Sequence, residues 1–195
     1  MPKLIIKDLV KIVYKDAFDF QTQMFEEKTA LKKSGKQPEN HLIWCEHPHV
    51  YTLGKSGDPN NLLVNDVFLK KINAEYFQTN RGGDITYHGP GQLVGYPIID
   101  LDQFNLGAKD YIYKLENAIS ELIADYGLKG EIKKGAAGVW LDPGTPDERK
   151  ICAVGVKVSR GISMHGFALN VNTNLSYFQH INPCGFVSKS TTSLE

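Results

Sequence analysis

Disulfide chemistry is all but closed to this chain. Its 195 residues hold three cysteines, Cys45, Cys152 and Cys184, an odd number set far apart. No secretion signal precedes them, so a disulfide framework is excluded and a reducing, cytoplasmic setting is expected. Charge of one sign is equally lacking, since Lys+Arg and Asp+Glu balance at 22 each. Bulk attraction to nucleic acid or an anionic membrane is therefore excluded, and an acidic partner needs a local patch. The opening "MPKLIIKDLV" breaks its apolar run with charges, and no stretch approaches a membrane span. Repeats and low-complexity blocks are absent as well. Phosphate-binding signatures are missing: "GKSG" (54–57) would need a glycine where His49 stands, and no G-x-G-x-x-G occurs in a strand-to-helix context.

What is present suits one packed domain over 1–195, with 42% apolar and 23% charged residues. Asp16 can cap a helix from Ala17 to about Lys33, with Phe20, Met24 and Leu31 on one face. In a second helix, Ile112, Leu115, Ile119, Leu122 and Tyr126 form one stripe, and Gly127 follows as a left-handed cap. "HLIWCEH", "HVYTLG", "YPIIDL" and "GVWLD" read as strands, and "KKSGKQPEN" and "LDPGTPDERK" as loops. "ICAVGVKVSRGISMHGFALNV" reads as two strands joined near Arg160-Gly161. On its first arm Cys152, Val154, Val156 and Val158 share one face, and Ala153, Gly155 and Lys157 the other. Strands mixed with helices predict an α/β (α+β) domain on a mixed sheet.

Chemistry concentrates in a few places. "RGGDITYHGPGQLVGYP" (81–97) packs five glycines around Arg81, Tyr87, His88 and Gln92, either as an ordinary glycine-rich turn or as a loop that lets a ligand come close. "CEHPH" sets Cys45, His47 and His49 within reach of one another. A zinc site is conceivable, but Pro48 breaks the strand and no second ligand pair completes it, so no metal is expected. Cys184, in "HINPCGF", stands between Pro183 and Gly185. Inert packing, a metal ligand and a nucleophile all remain open. A thiol in a turn reacts when a cation lowers its pKa, and Lys150, His88 and His165 are the candidates.

Taken in order, "EHPHVYTLGKSG", "RGGDITYHGPGQLVGYPIIDL", "KICAVGVKVSRGISMHGFALNV" and "NPCG" closely resemble the lipoyl(octanoyl) transferases of lipoate biosynthesis. The resemblance runs from about residue 41 to 190. It implies the fold of the biotin/lipoate protein ligases: a mixed sheet plus a smaller sheet with flanking helices. It also implies transfer of an octanoyl group from octanoyl-acyl carrier protein to a lysine of lipoyl domains, those of 2-oxoacid dehydrogenase complexes and the glycine cleavage H protein, with no cofactor. By the same resemblance Cys184 matches the acyl-thioester nucleophile and Lys150 the lysine that activates it. Arg81, Gly82, Gly83, Asp84, Ile85, Thr86, Tyr87 and His88 match one substrate-binding segment. Ala153, Val154 and Gly155 match a second, and Gly166, Phe167 and Ala168 a third. The alternatives are an ATP-dependent lipoate–protein ligase of the same fold, a biotin ligase, and an acyl-binding module without activity. Lys133, Lys134, Arg149 and Lys157 are the expected docking patch for an acidic carrier.

Overall fold

The computed structural model describes residues 2–182 and 190–195. In chain order the elements are strand β1 (Leu4–Lys11), helix α1 (Tyr14–Lys33), β2 (Asn40–Glu46), β3 (Val50–Leu53), α2 (Asp66–Lys71), β4 (Glu75–Gln78), β5 (Ile85–His88) and β6 (Gln92–Ile98). Then come α3 (Ala108–Ala124), β7 (Glu131–Ile132), β8 (Gly138–Leu141), β9 (Arg149–Ser159), β10 (Ile162–Asn170) and β11 (Ser190–Thr191). The large mixed sheet runs β1-β2-β6-β10-β9-β8-β7, with β11 paired to β9. The small sheet runs β4-β3-β5. This is the mixed sheet, smaller sheet and flanking helices expected from the sequence.

The centre of the large sheet is a hairpin that its turn dictates. Arg160 and Gly161 have φ of 54° and 77°. Two successive positive φ values make the tight turn whose twist matches antiparallel strands. The β9 alternation then sorts the two faces. Cys152 and Val154 pack with Ile119 and Ile123 of α3, and Val156 and Val158 with Tyr111. On the opposite face Lys157 stands over the Phe25 ring of α1. The helices thus cover opposite faces, and the small residues Ala153 and Gly155 are left on the α1 side.

The helices depart in detail from the sequence reading. The first begins at Tyr14, and its N-cap is Val13, which makes no side-chain bond. Asp16 lies in the first turn, where a negative charge still suits the helix dipole. Tyr14 anchors this end by burial, stacked 5.8 Å from the His88 ring and edge-on to Phe77. The buried line of α1 is Tyr14, Ala17, Gln21, Met24, Phe25 and Lys28, which leaves Leu31 exposed. In α3 the buried residues are Tyr111, Glu116, Ile119 and Ile123, while Leu122 and Tyr126 face solvent. A helix advances about 100° per residue, so steps of three and four drift around the cylinder, and the sheet selects the line it touches. Gly127 does cap the end: its φ is +76°, and Leu128 N–H returns to Ile123 O at 3.2 Å.

Pro97 lies inside β6 rather than at a strand edge. The ladder from β6 to β10 spans Gly95↔Phe167 to Gln92↔Asn170 and stops short of Pro97, so its missing N–H costs no β10 bond. Just beyond, His165 takes φ 62° and breaks the regular alternation of β10. Among the described residues no helix is long and apolar enough to cross a membrane.

Candidate active site

Two of the sequence segments that stood out turn out to be partners. Across the β9–β10 ladder, Ala153 faces Ala168, Val154 faces Phe167 and Gly155 faces Gly166. All six line a mostly apolar cavity of about 290 Å³, and Val154 and Phe167 also pack in the core beneath α3. That volume sits near the lower end of the range for small-molecule sites.

The opposite wall is the segment before and along β5: Arg81, Gly83, Asp84, Ile85, Thr86 and His88 all line the cavity. Its approach to the sheet is close enough to require glycine. Gly82 N–H donates to Val156 O at 2.9 Å, and a Cβ on Gly155 would come within 2.9 Å of Gly82 O. A Cβ on Gly54 would overlap the Gly83 carbonyl. The loop is held from its other side by the "GKSG" turn, where the amides of Gly54, Lys55 and Ser56 donate to the carbonyls of Asp84, Arg81 and Gly83. "GKSG" therefore buttresses the glycine-rich loop. Arg81 is buried, and its Nη2 donates to Thr52 O at 2.6 Å and to Thr52 Oγ1 at 2.9 Å. The Asp84 carboxylate accepts from Asn61 Nδ2 at 2.6 Å.

Two expected binding residues lie elsewhere. Gly82 fastens the loop to β9 and does not line the cavity. Tyr87 alternates to the far face of β5, where it stacks 5.0 Å from Tyr177 and its hydroxyl meets His49 Nδ1 at 2.7 Å. A strand places neighbouring side chains on opposite faces, so an unbroken run from 81 to 88 cannot all face one ligand.

The deep end is closed by Tyr14, Tyr96, His88 and His165. Both histidines are neutral. Burial, with His47 close by, lowers the His88 pKa to about 3. Burial and the Arg81 and Lys157 charges bring His165 to about 3. His88 Nδ1 pairs with Gln92 Oε1 at 2.7 Å, and His165 Nε2 with Asn80 Oδ1 at 2.8 Å. Neither ring is a cation at neutral pH. At the rim, Lys150 Nζ donates to Ala137 O at 3.0 Å and stands 4.6 Å above the Trp140 ring. Trp140 Nε1 in turn donates to Ala136 O at 2.9 Å.

Two of the three thiols are placed. Burial pushes both Cys45 and Cys152 up to about 12, far from a thiolate at neutral pH. Cys184 lies outside the described residues. The chain on either side of its segment borders the cavity, through Phe178 before it and Ser190 and Thr191 after it. Thr191 pairs with Lys150 itself.

Of the "CEHPH" residues Cys45 and His47 meet, Sγ to Nε2 at 3.5 Å, and His49 lies apart from them. The chain leaves the large sheet after Glu46 and enters the small sheet at Val50. His47 Nδ1 bonds Ile12 O at 2.8 Å and its Nε2 the Tyr96 hydroxyl at 2.7 Å, while His49 stacks 4.2 Å from Tyr177. No cluster of three metal-ligating side chains exists among the described residues. Trp140, Tyr14, Tyr96 and the 135–137 turn are lining groups that the sequence did not single out. Each is an aromatic or small residue of ordinary core type.

A mostly apolar cavity with Lys150 at its rim has the room and the surface for an acyl tail. Fold and site together define an enzyme that handles acyl groups. A family model described as the lipoyl protein ligase A/B catalytic domain matches residues 14–195, and the chain belongs to this family. An octanoyltransferase of Parabacteroides distasonis is 54% identical over 188 residues, which cover 96% of this chain and 85% of that protein. One of Bacteroides thetaiotaomicron is 52% identical over 192 residues, covering 98% and 85%. Among solved structures, lipoate-protein ligase A bound with ATP superimposes with a TM-score of 0.66 at 15% identity, covering 99% of this chain and 76% of that one. The bi-partite lipoate protein ligase of Thermoplasma acidophilum gives 0.65 at 16% identity, covering 93% and 66%. At such identities the structural likeness speaks for the fold.

Proposed function

We propose that this enzyme transfers an octanoyl group from octanoyl-acyl carrier protein to a lysine of lipoyl domains, through a thioester on Cys184. The observation that supports the reading is Lys150 at the rim of a cavity whose two histidines are neutral, which leaves Lys150 as the cation among the three groups the sequence offered for activating a thiol. The octanoyltransferase relatives support it.

In the first half-reaction the Cys184 sulfur attacks the carbonyl carbon of the carrier thioester. A new C–S bond forms, the bond to the carrier sulfur breaks, and the proton leaving Cys184 passes through Lys150 to the departing thiolate. In the second, the neutral amine of the acceptor lysine attacks the enzyme thioester. Its extra proton goes to Lys150, the C–S bond breaks, and Cys184 recovers the proton. Burying the tail among Ala153, Gly155 and Ala168 contributes about 0.8 kcal/mol per methylene.

Mass spectrometry after incubation with octanoyl-carrier protein alone tests this. One octanoyl mass should appear on Cys184 and be removed by hydroxylamine. Cys45→Ser and Cys152→Ser should still be labelled, and Cys184→Ser should not. Label on Cys152, or turnover with no bound acyl group, would refute the thioester. Transfer from free octanoate and ATP without carrier would instead indicate a ligase.

A further inference from the structure

The rim lysine has a support that the sequence pattern of α3 does not announce. Glu116 is buried at 4% exposure on the helix face turned to the sheet. A carboxylate in such a place is costly unless it is bonded or faces a positive charge. Glu116 has both. Its Oε1 accepts from Gly138 N–H at 2.7 Å. Gly138 takes φ +124°, and a Cβ there would overlap the Cys152 carbonyl and sit 3.4 Å from Lys150 Cδ. The residues just before it supply the carbonyls of Ala136 and Ala137, which hold Trp140 Nε1 and Lys150 Nζ. The path from α3 to the rim is thus continuous: carboxylate, Gly138 amide, the 135–138 turn, then the ammonium group.

The charges are arranged consistently with this path. Burial raises the Glu116 pKa, while the Gly138 amide and the Lys150 charge pull it back. Among the described residues the other titratable or charged groups around Lys150 are few. Cys152 is a buried thiol, Lys133 stands over the same indole and is paired with Glu148, and Arg149 is paired with Asp142. Arg81 and Asp84 line the opposite wall, where Arg81 is bonded to Thr52 and Asp84 to Asn61.

We propose that Glu116 is a positioning residue for Lys150: its carboxylate fixes the turn that carries the ammonium's acceptor and supplies the buried negative charge that faces it, an inference that rests on Lys150 as the proton carrier of the proposed reaction. Glu116 touches no reacting atom. It sets where the lysine stands and how firmly it keeps its proton.

The test reads the lysine directly. Protein labelled with 13C at lysine Cε gives one Lys150 signal, assigned by its loss in Lys150→Arg, and this signal is titrated. Glu116→Gln keeps an acceptor for Gly138 and removes the charge. It should lower the Lys150 midpoint by about half a pH unit or more, less than the 1–3 units brought by a contacting opposite charge. The acid limb of the acyl-transfer profile should move the same way. Glu116→Asp, which keeps the charge, should recover most of the midpoint, and Glu116→Ala should lose both the shift and part of the melting temperature. An unchanged Lys150 midpoint in Glu116→Gln overturns the inference even if activity falls. Lys150→Ala, assayed in parallel, separates the two ideas. Full activity there overturns the reading of Lys150 itself, and with it any catalytic meaning for Glu116. An inactive Lys150→Ala beside an unshifted Glu116→Gln overturns only the role of Glu116.

Discussion

The neutral histidines at the floor of the cavity link stability to pH, and His165→Asn isolates that link. Both His88 and His165 fall from 6.5 to about 3 in the folded protein. In the unfolded chain they titrate near 6.5, so below that pH the unfolded state binds more protons. Their contribution is complete above pH 6.5 and is lost progressively as the pH falls toward 3. At pH 5 each histidine is 1.5 units into this window, and at about 1.36 kcal/mol per unit each costs about 2 kcal/mol of stability. The pair therefore costs about 4 kcal/mol between pH 7 and 5, a large part of a typical domain's total. His41, His47 and His49 are also lowered and add in the same direction, while the raised Glu116 opposes them. Asparagine is among the few residues suited to φ 62° at position 165. The substitution also removes the bond to Asn80, a loss present at every pH, so the informative quantity is the slope rather than the absolute stability. Urea unfolding at pH 7, 6 and 5 should show the variant losing about 2 kcal/mol less than the parent over that range. Parallel curves for the two proteins would mean that His165 is not held neutral by burial, and the account of the cavity floor would be wrong.

Lys150→Ala should reduce transfer by about 10²–10⁴-fold, the usual scale for a lost acid–base group, with little change in melting temperature, since its ammonium lies at the rim. Near-normal activity at neutral pH would refute the assignment. Gly155→Ala should push the Gly82 loop, whose carbonyl lies 2.9 Å from the new Cβ, and raise the KM for octanoyl-carrier protein more than it lowers kcat; equal effects on both would place the damage elsewhere. The apparent KM for the carrier should rise only shallowly with salt, because Lys133 and Arg149 are already paired with Glu148 and Asp142 and leave Lys134 as the more exposed charge. A salt-independent value would indicate an apolar dock.

The sequence disclosed the site best where the backbone itself makes it. The segments 153–155 and 166–168, marked by the family resemblance, meet in register because a turn that reads plainly as Arg160-Gly161 joins their strands. The glycines of 82–83 marked a close approach that the structure supplies from two sides. Features that depend on which face a neighbour covers were not legible. Alternation along β5 turns Tyr87 away from the cavity, toward the rings of Tyr51 and Tyr177, and which face of β5 meets the cavity is not written in its sequence. Leu122 and Tyr126 continue the apolar stripe of α3, but the sheet touches the line of Ile119 and Ile123 instead. Glu116 interrupts that stripe, and the Gly138 amide and the Lys150 charge that account for its burial lie far away in sequence.

The way the glycine-rich loop is held has a consequence for traffic through the site. Swinging it outward would break the bonds from Gly54, Lys55, Ser56 and Gly82, each worth about 0.5–1.5 kcal/mol net. That side of the cavity is a fixed jamb. The deep end is stopped by buried rings, and among the described residues the passage left is the rim between Gly83 and Asp84 on one side and Gly135, Ala137 and Lys150 on the other. On the proposed reaction, an acyl chain enters methyl first and departs carbonyl first. On that reading donor and acceptor meet the same end of it at the same doorway, one after the other, and neither has to follow the tail inside.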